Sequence, residues 1–122
     1  MANDFKRFTS ASLGTTAGAS ATAVYTVPSS SSTAMESIVI GITIANKSTA
    51  GITCDVFLDA LGGASDDVYI VKDASIPAGS SLEVMSGNKL VLQGDGTNND
   101  ILKMTSSTAS AADGIVSVLE DV

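Results

Sequence analysis

The side chains of this chain that could do chemistry are few. Asp95-Gly96-Thr97-Asn98-Asn99-Asp100 places oxygen ligands at spacings that can surround a calcium ion, with glycine allowing the bend. Asp95, Asn98 and Asp100 are the candidate ligands, set against the fact that Asp, Asn and Gly are also what turns prefer and that the full twelve-residue calcium loop, with its closing glutamate, is missing. Asp66-Asp67 is the other crowding of carboxylates. The single cysteine, Cys54, is in phase with Ile52, Val56 and Leu58, which predicts a small buried core residue rather than a reactive thiol. Histidine is absent, so the commonest general base and transition-metal ligand is missing. Gly94-Asp95-Gly96 lacks the Lys-Ser/Thr ending of a phosphate loop, and two tyrosines and three phenylalanines offer a sugar few platforms. The expectation is a non-enzymatic protein with no catalytic residues and no cofactor.

Binding chemistry gathers at one end. Phe5, Lys6, Arg7 and Phe8 put two aromatics around two cations, whereas the whole chain carries six Lys and Arg against thirteen Asp and Glu, a net charge of −7. Those four residues are the expected partner contact, an aromatic and basic arm able to lie on an acidic neighbour. The acidic remainder argues against nucleic acid, whose affinity rests on Lys and Arg displacing phosphate counterions. No apolar run is long enough to span a bilayer, and the N-terminal residues lack a signal peptide's apolar run, so neither a membrane nor export by that route is expected.

The elements that must position these residues are strands. From Ile38 to Ile44 isoleucine holds every even position, the period of a strand, which predicts a branched stripe along one face. Similar alternation predicts strands over 22–27, 52–59, 68–72, 80–85, 89–93, 101–106 and 115–119, with the 38–46 and 52–59 strands joined as a hairpin through a longer loop. Within that loop Asn46-Lys47-Ser48 matches a glycosylation sequon and is read as turn chemistry. The fold class is all-β: an antiparallel β-sandwich or jelly-roll-like domain of about eight strands over 22–122, preceded by an extended N-terminal arm and flexible connector over 1–21. Val24, Val91, Val116 and Val118 are expected on outward faces, hence a homo-oligomer that covers them.

Tyr25-Thr26-Val27-Pro28, the 38–46 strand, Tyr69 to Leu82 with its Ile76-Pro77-Ala78-Gly79-Ser80-Ser81-Leu82 turn, and Lys89-Leu90-Val91-Leu92 followed by Gly94-Asp95 together resemble small virion structural proteins of tailed bacteriophages, most of all those of marine and cyanobacterial phages. The resemblance covers about Tyr25 to Glu120, and the chain departs from the usual pattern by inserting Gly96 to Asn99. It implies a particle component made in the host cytoplasm and located in the virion. The expected role is a capsid-surface decoration or cement protein that binds major capsid subunits. The alternatives are a ring or trimer at the neck, tail or fibre base, and a carbohydrate-binding module on a fibre.

Overall fold

The computed structural model describes residues 3–15, 22–27, 35–59, 67–85, 89–94 and 98–121. Asp66, Asp95 and the serine-rich connection at 29–33 lie outside them. Among the described residues the chain is all β, with nine strands and no helix: β1 (Asn3–Ser10), β2 (Thr22–Thr26), β3 (Met35–Asn46), β4 (Ile52–Asp59), β5 (Asp67–Ile76), β6 (Ser81–Glu83), β7 (Leu90–Gly94), β8 (Ile101–Ser106) and β9 (Ala112–Asp121). They form two antiparallel sheets, as the alternating pattern predicts. Sheet A runs β1-β9-β3, and β6 and β7 follow one another along the far edge of β3. Sheet B runs β2-β8-β4-β5.

Three differences from the sequence reading matter for function. The segment expected to be an arm is a strand: all eight residues of β1 pair with β9, from Asn3 opposite Asp121 to Ser10 opposite Gly114. Leu13, expected in a loose connector, is buried, and its N–H donates to the Ala112 carbonyl at 2.7 Å. Second, β3 and β4 are no hairpin, because they belong to different sheets and their connection crosses the sandwich. Both strands present apolar side chains to the core, Ile42 and Ile44 from one and Ile52, Cys54 and Val56 from the other, so facing sheets bury more than neighbouring strands could.

Third, the isoleucine stripe is broken. The pairing of β3 with β9 shifts between Val39 and Gly41, the mark of a β-bulge with Ile40 as the extra residue. Before it Ser37 and Val39 face inward; after it Ile42, Ile44 and Asn46 do. One extra residue reverses the phase of everything that follows. Ile38 and Ile40 therefore sit on the outer face. Val24, Val116 and Val118 are also placed contrary to expectation, inside the core, and of the four valines only Val91 is exposed. A bulge between Ala23 and Tyr25 lets the consecutive Val24 and Tyr25 both be buried.

Asn46 shows why the sequon residues are turn chemistry. Its buried amide donates to the carbonyls of Ala50 (2.9 Å), Ile76 (3.0 Å) and Pro77 (3.2 Å), while its Oδ1 accepts from the Ser48 N–H (2.9 Å) and hydroxyl (2.7 Å). This one side chain ties the crossing loop to the end of β5. Asn46→Ala removes every one of those partners at once, and leaves the buried Ile76 carbonyl without its Asn46 hydrogen bond. The expected loss is about 2–3 kcal/mol in urea denaturation.

Candidate interaction surface

The four residues singled out from sequence alternate along β1 and so divide between two faces. Lys6 and Phe8 turn inward. Phe8 packs its ring 4.8 Å from that of Tyr25, and Lys6 Nζ lies 2.8 Å from Glu120 Oε1. Glu120 is buried and also accepts from the Tyr25 hydroxyl, at 2.6 Å through Oε2. Since that hydroxyl has one proton, the Ser37 hydroxyl 2.7 Å away must donate to Tyr25 in turn. Burial would push the Glu120 carboxyl up, but the Lys6 ammonium and the Tyr25 hydroxyl together hold it below its ordinary value. Burial and then the Glu120 carboxylate push the Tyr25 phenol up. This network ties β1, β2, β3 and β9 together across the sandwich.

Phe5 and Arg7 turn outward. Phe5 is 77% exposed and Arg7 is exposed. The register carries Phe5 onto Leu119, Leu119 onto Ile38 and Ile38 onto Val91, so an apolar row crosses β1, β9, β3 and β7 on the outer face of sheet A. Val91 is 53% exposed, and Ile40 and Ile115 add exposed branched side chains to the same face. The row beside it reads Arg7, Ser117 and Gly41, and the row on the other side has the register positions Asn3, Asp121, Glu36 and Gln93. An apolar centre with a polar, charged rim is the anatomy of a protein contact surface. Leu119, Ile38 and Ile115 were not foreseen as contact residues, whereas Val91 was expected on an outward, covered face. Their signal was present in β9, where Ile115 and Leu119 alternate with the buried Val116 and Val118, but only the register shows that they line up with Phe5.

Other places hold polar groups already committed to the fold. Asp100 is buried; its Oδ2 accepts from the Gln93 N–H at 2.8 Å, its own N–H donates to the Gln93 carbonyl and its carbonyl accepts from the Val27 N–H. The candidate calcium ligands thus divide: Asp100 clamps β7 to the chain after β2, Asn98 is half-buried beside it, and Asp95 is outside the described residues. Among the described residues no three His, Cys, Asp or Glu side chains are grouped to hold a metal. A shallow polar cavity of about 130 Å³ lies between Thr53, Asp55, Asp73, Thr105 and Ser107. It is well below the roughly 300–1,000 Å³ of a small-molecule site. Asp55 spends its Oδ1 on the Asp73 N–H at 2.7 Å, which holds Asp73 at a φ of 53°.

On the outer face of sheet B, Lys103 Nζ and Asp59 Oδ2 form a buried ion pair at 2.9 Å, their side chains 6% and 9% exposed. Phe57, opposite Lys103 in the register, is fully buried there with its ring 5.0 Å from Tyr69. Cys54 is buried in the core, and burial, reinforced by the neighbouring Asp55, pushes its thiol up to about 11. At neutral pH it is a protonated thiol with no nucleophilic function. No family model, curated protein or solved structure matches the chain.

Proposed function

We propose that this protein is a non-enzymatic structural subunit of a tailed-phage virion, a decoration or cement protein that holds major capsid subunits through the outer face of sheet A. The observation that carries the reading is the apolar row Phe5, Leu119, Ile38 and Val91, which spans the sheet and is rimmed by charge. The resemblance of residues 25–120 to such subunits supports it. Adhesion to a regular lattice needs no deep pocket, because many copies on repeated sites turn weak single contacts into firm attachment. Exclusion of water from the row supplies attraction, and the exposed Arg7 and Glu36 on either side of it set orientation.

Purified protein added to capsids lacking it should co-sediment with them and appear at regular positions in electron micrographs. The double variant Phe5→Ser with Val91→Ser removes the exposed ends of the row without touching the core, and should weaken attachment about tenfold or more. Absence of co-sedimentation with capsids, or undiminished attachment of the double variant, rejects the proposal.

A further inference from the structure

We infer that two copies of this chain join edge to edge along β1, in an antiparallel two-fold register centred on Phe5, so that their A sheets become one continuous sheet. The inference rests on reading the outer face of sheet A as the adhesive surface, since the join doubles that face. β1 pairs with β9 on one side, and on its other side no described strand pairs with it. An eight-residue edge strand offers a row of backbone donors and acceptors to any extended partner. The question is what that partner is.

The charges along β1 answer it. A two-fold axis perpendicular to the sheet keeps both outer faces on the same side, so the strands must cross at a residue, not between residues. Centring on Asp4 sets that residue opposite its own twin, and centring on Lys6 or Arg7 does the same to a cation; each is repulsive. Centring on Phe5 is the one choice within β1 that places opposite charges across the join, Asp4 opposite Lys6 of the second copy and Lys6 opposite Asp4, with Asn3 and Arg7 paired outside them. The charges therefore oppose centring on Asp4, Lys6 or Arg7, and centring on Phe5 alone adds attraction between charged residues. In that register the two Phe5 rings meet on the outer face, where Phe5 is 77% exposed in the single chain. The apolar row then runs unbroken from Val91 of one copy through both Phe5 rings to Val91 of the other.

The full chain should show a monomer–dimer equilibrium by sedimentation equilibrium with no capsid present. Asp4→Lys sets a lysine opposite each Lys6 and should weaken the dimer about tenfold, its fold checked by circular dichroism. Independently, Phe5→Cys should give a disulfide-linked dimer on mild oxidation, because the two substituted positions face each other. Thr9→Cys, on the same face of β1 but far from the axis, should stay monomeric. The native Cys54 is buried and does not interfere. A protein monomeric at all concentrations, an unchanged dimer in Asp4→Lys, or equal cross-linking at positions 5 and 9 each overturns the inference. A dimer that fails to bind capsids leaves the inference standing and removes the capsid role instead.

Discussion

Lys103→Met is expected to lower stability by about 3–5 kcal/mol, a large share of the roughly 5–15 kcal/mol that holds a domain together. Methionine fills similar volume, so the loss comes from charge and not from a cavity. Asp59 would be left buried with its ion partner gone, and its Oδ1 already has no hydrogen-bond partner among the described residues. An unpaired carboxylate beside the buried Phe57 ring has no water to turn to. The melting temperature should fall by roughly 10–20 °C. The double variant Lys103→Met with Asp59→Leu removes both charges, and should return to within about 1 kcal/mol of the native protein or exceed it. Urea denaturation of the native protein, both single variants and the double variant measures the coupling. A single variant within about 1 kcal/mol of native would mean that water reaches the pair, against its near-complete burial.

How far the sequence could be read depends on which physical signal each element carries. The two-residue period was enough for the all-β class, because β9 and β4 as far as Val56 bury one face of alternating side chains, and β3 does so on either side of its bulge. Register was not legible, since a bulge is one residue long and costs the pattern nothing: Ile38, Ile40, Ile42 and Ile44 look equivalent in the chain, yet the bulge puts the first two outside and the last two in the core. β1 was hidden for a related reason. Its inward positions Lys6 and Phe8 do not form an apolar alternation, and the counter-charge of Lys6 comes from Glu120, more than a hundred residues away in sequence. Val116 and Val118 went to the wrong side because a strand apolar on both faces cannot say which face is the core. Of the four contact residues, Phe5 and Arg7 face outward with the apolar row, whereas Lys6 pairs with Glu120 and Phe8 packs on Tyr25. A polar network assembled from four strands has no local signature at all.

That network sets a pH window. Glu120 titrates below its ordinary 4.5 in the folded chain, so its contribution is present above pH 4.5 and is lost as pH falls through the folded value. Tyr25 is shifted the other way. Its contribution is complete below pH 10.0 and is lost as pH rises, since the unfolded phenol releases a proton that the buried one retains. Cys54 acts in the same sense over the range from 9.0 to about 11. Stability measured by chemical denaturation should therefore be level from about pH 5 to pH 9 and fall on both sides. Glu120→Gln should lose about 1–3 kcal/mol at neutral pH, because the Lys6 ammonium loses its counter-charge, and should flatten the acid side of the curve. A smaller slope then remains from Asp113, whose exposed carboxyl is held low by Lys47 and the Ser12 N–H. Tyr25→Phe should weaken the acid limb, since the lost hydroxyl helps hold Glu120 low, and should shorten the alkaline loss to that of the thiol, which Cys54→Ala then removes. An acid limb unchanged by Glu120→Gln would show that the carboxylate is not held low by Lys6 and Tyr25.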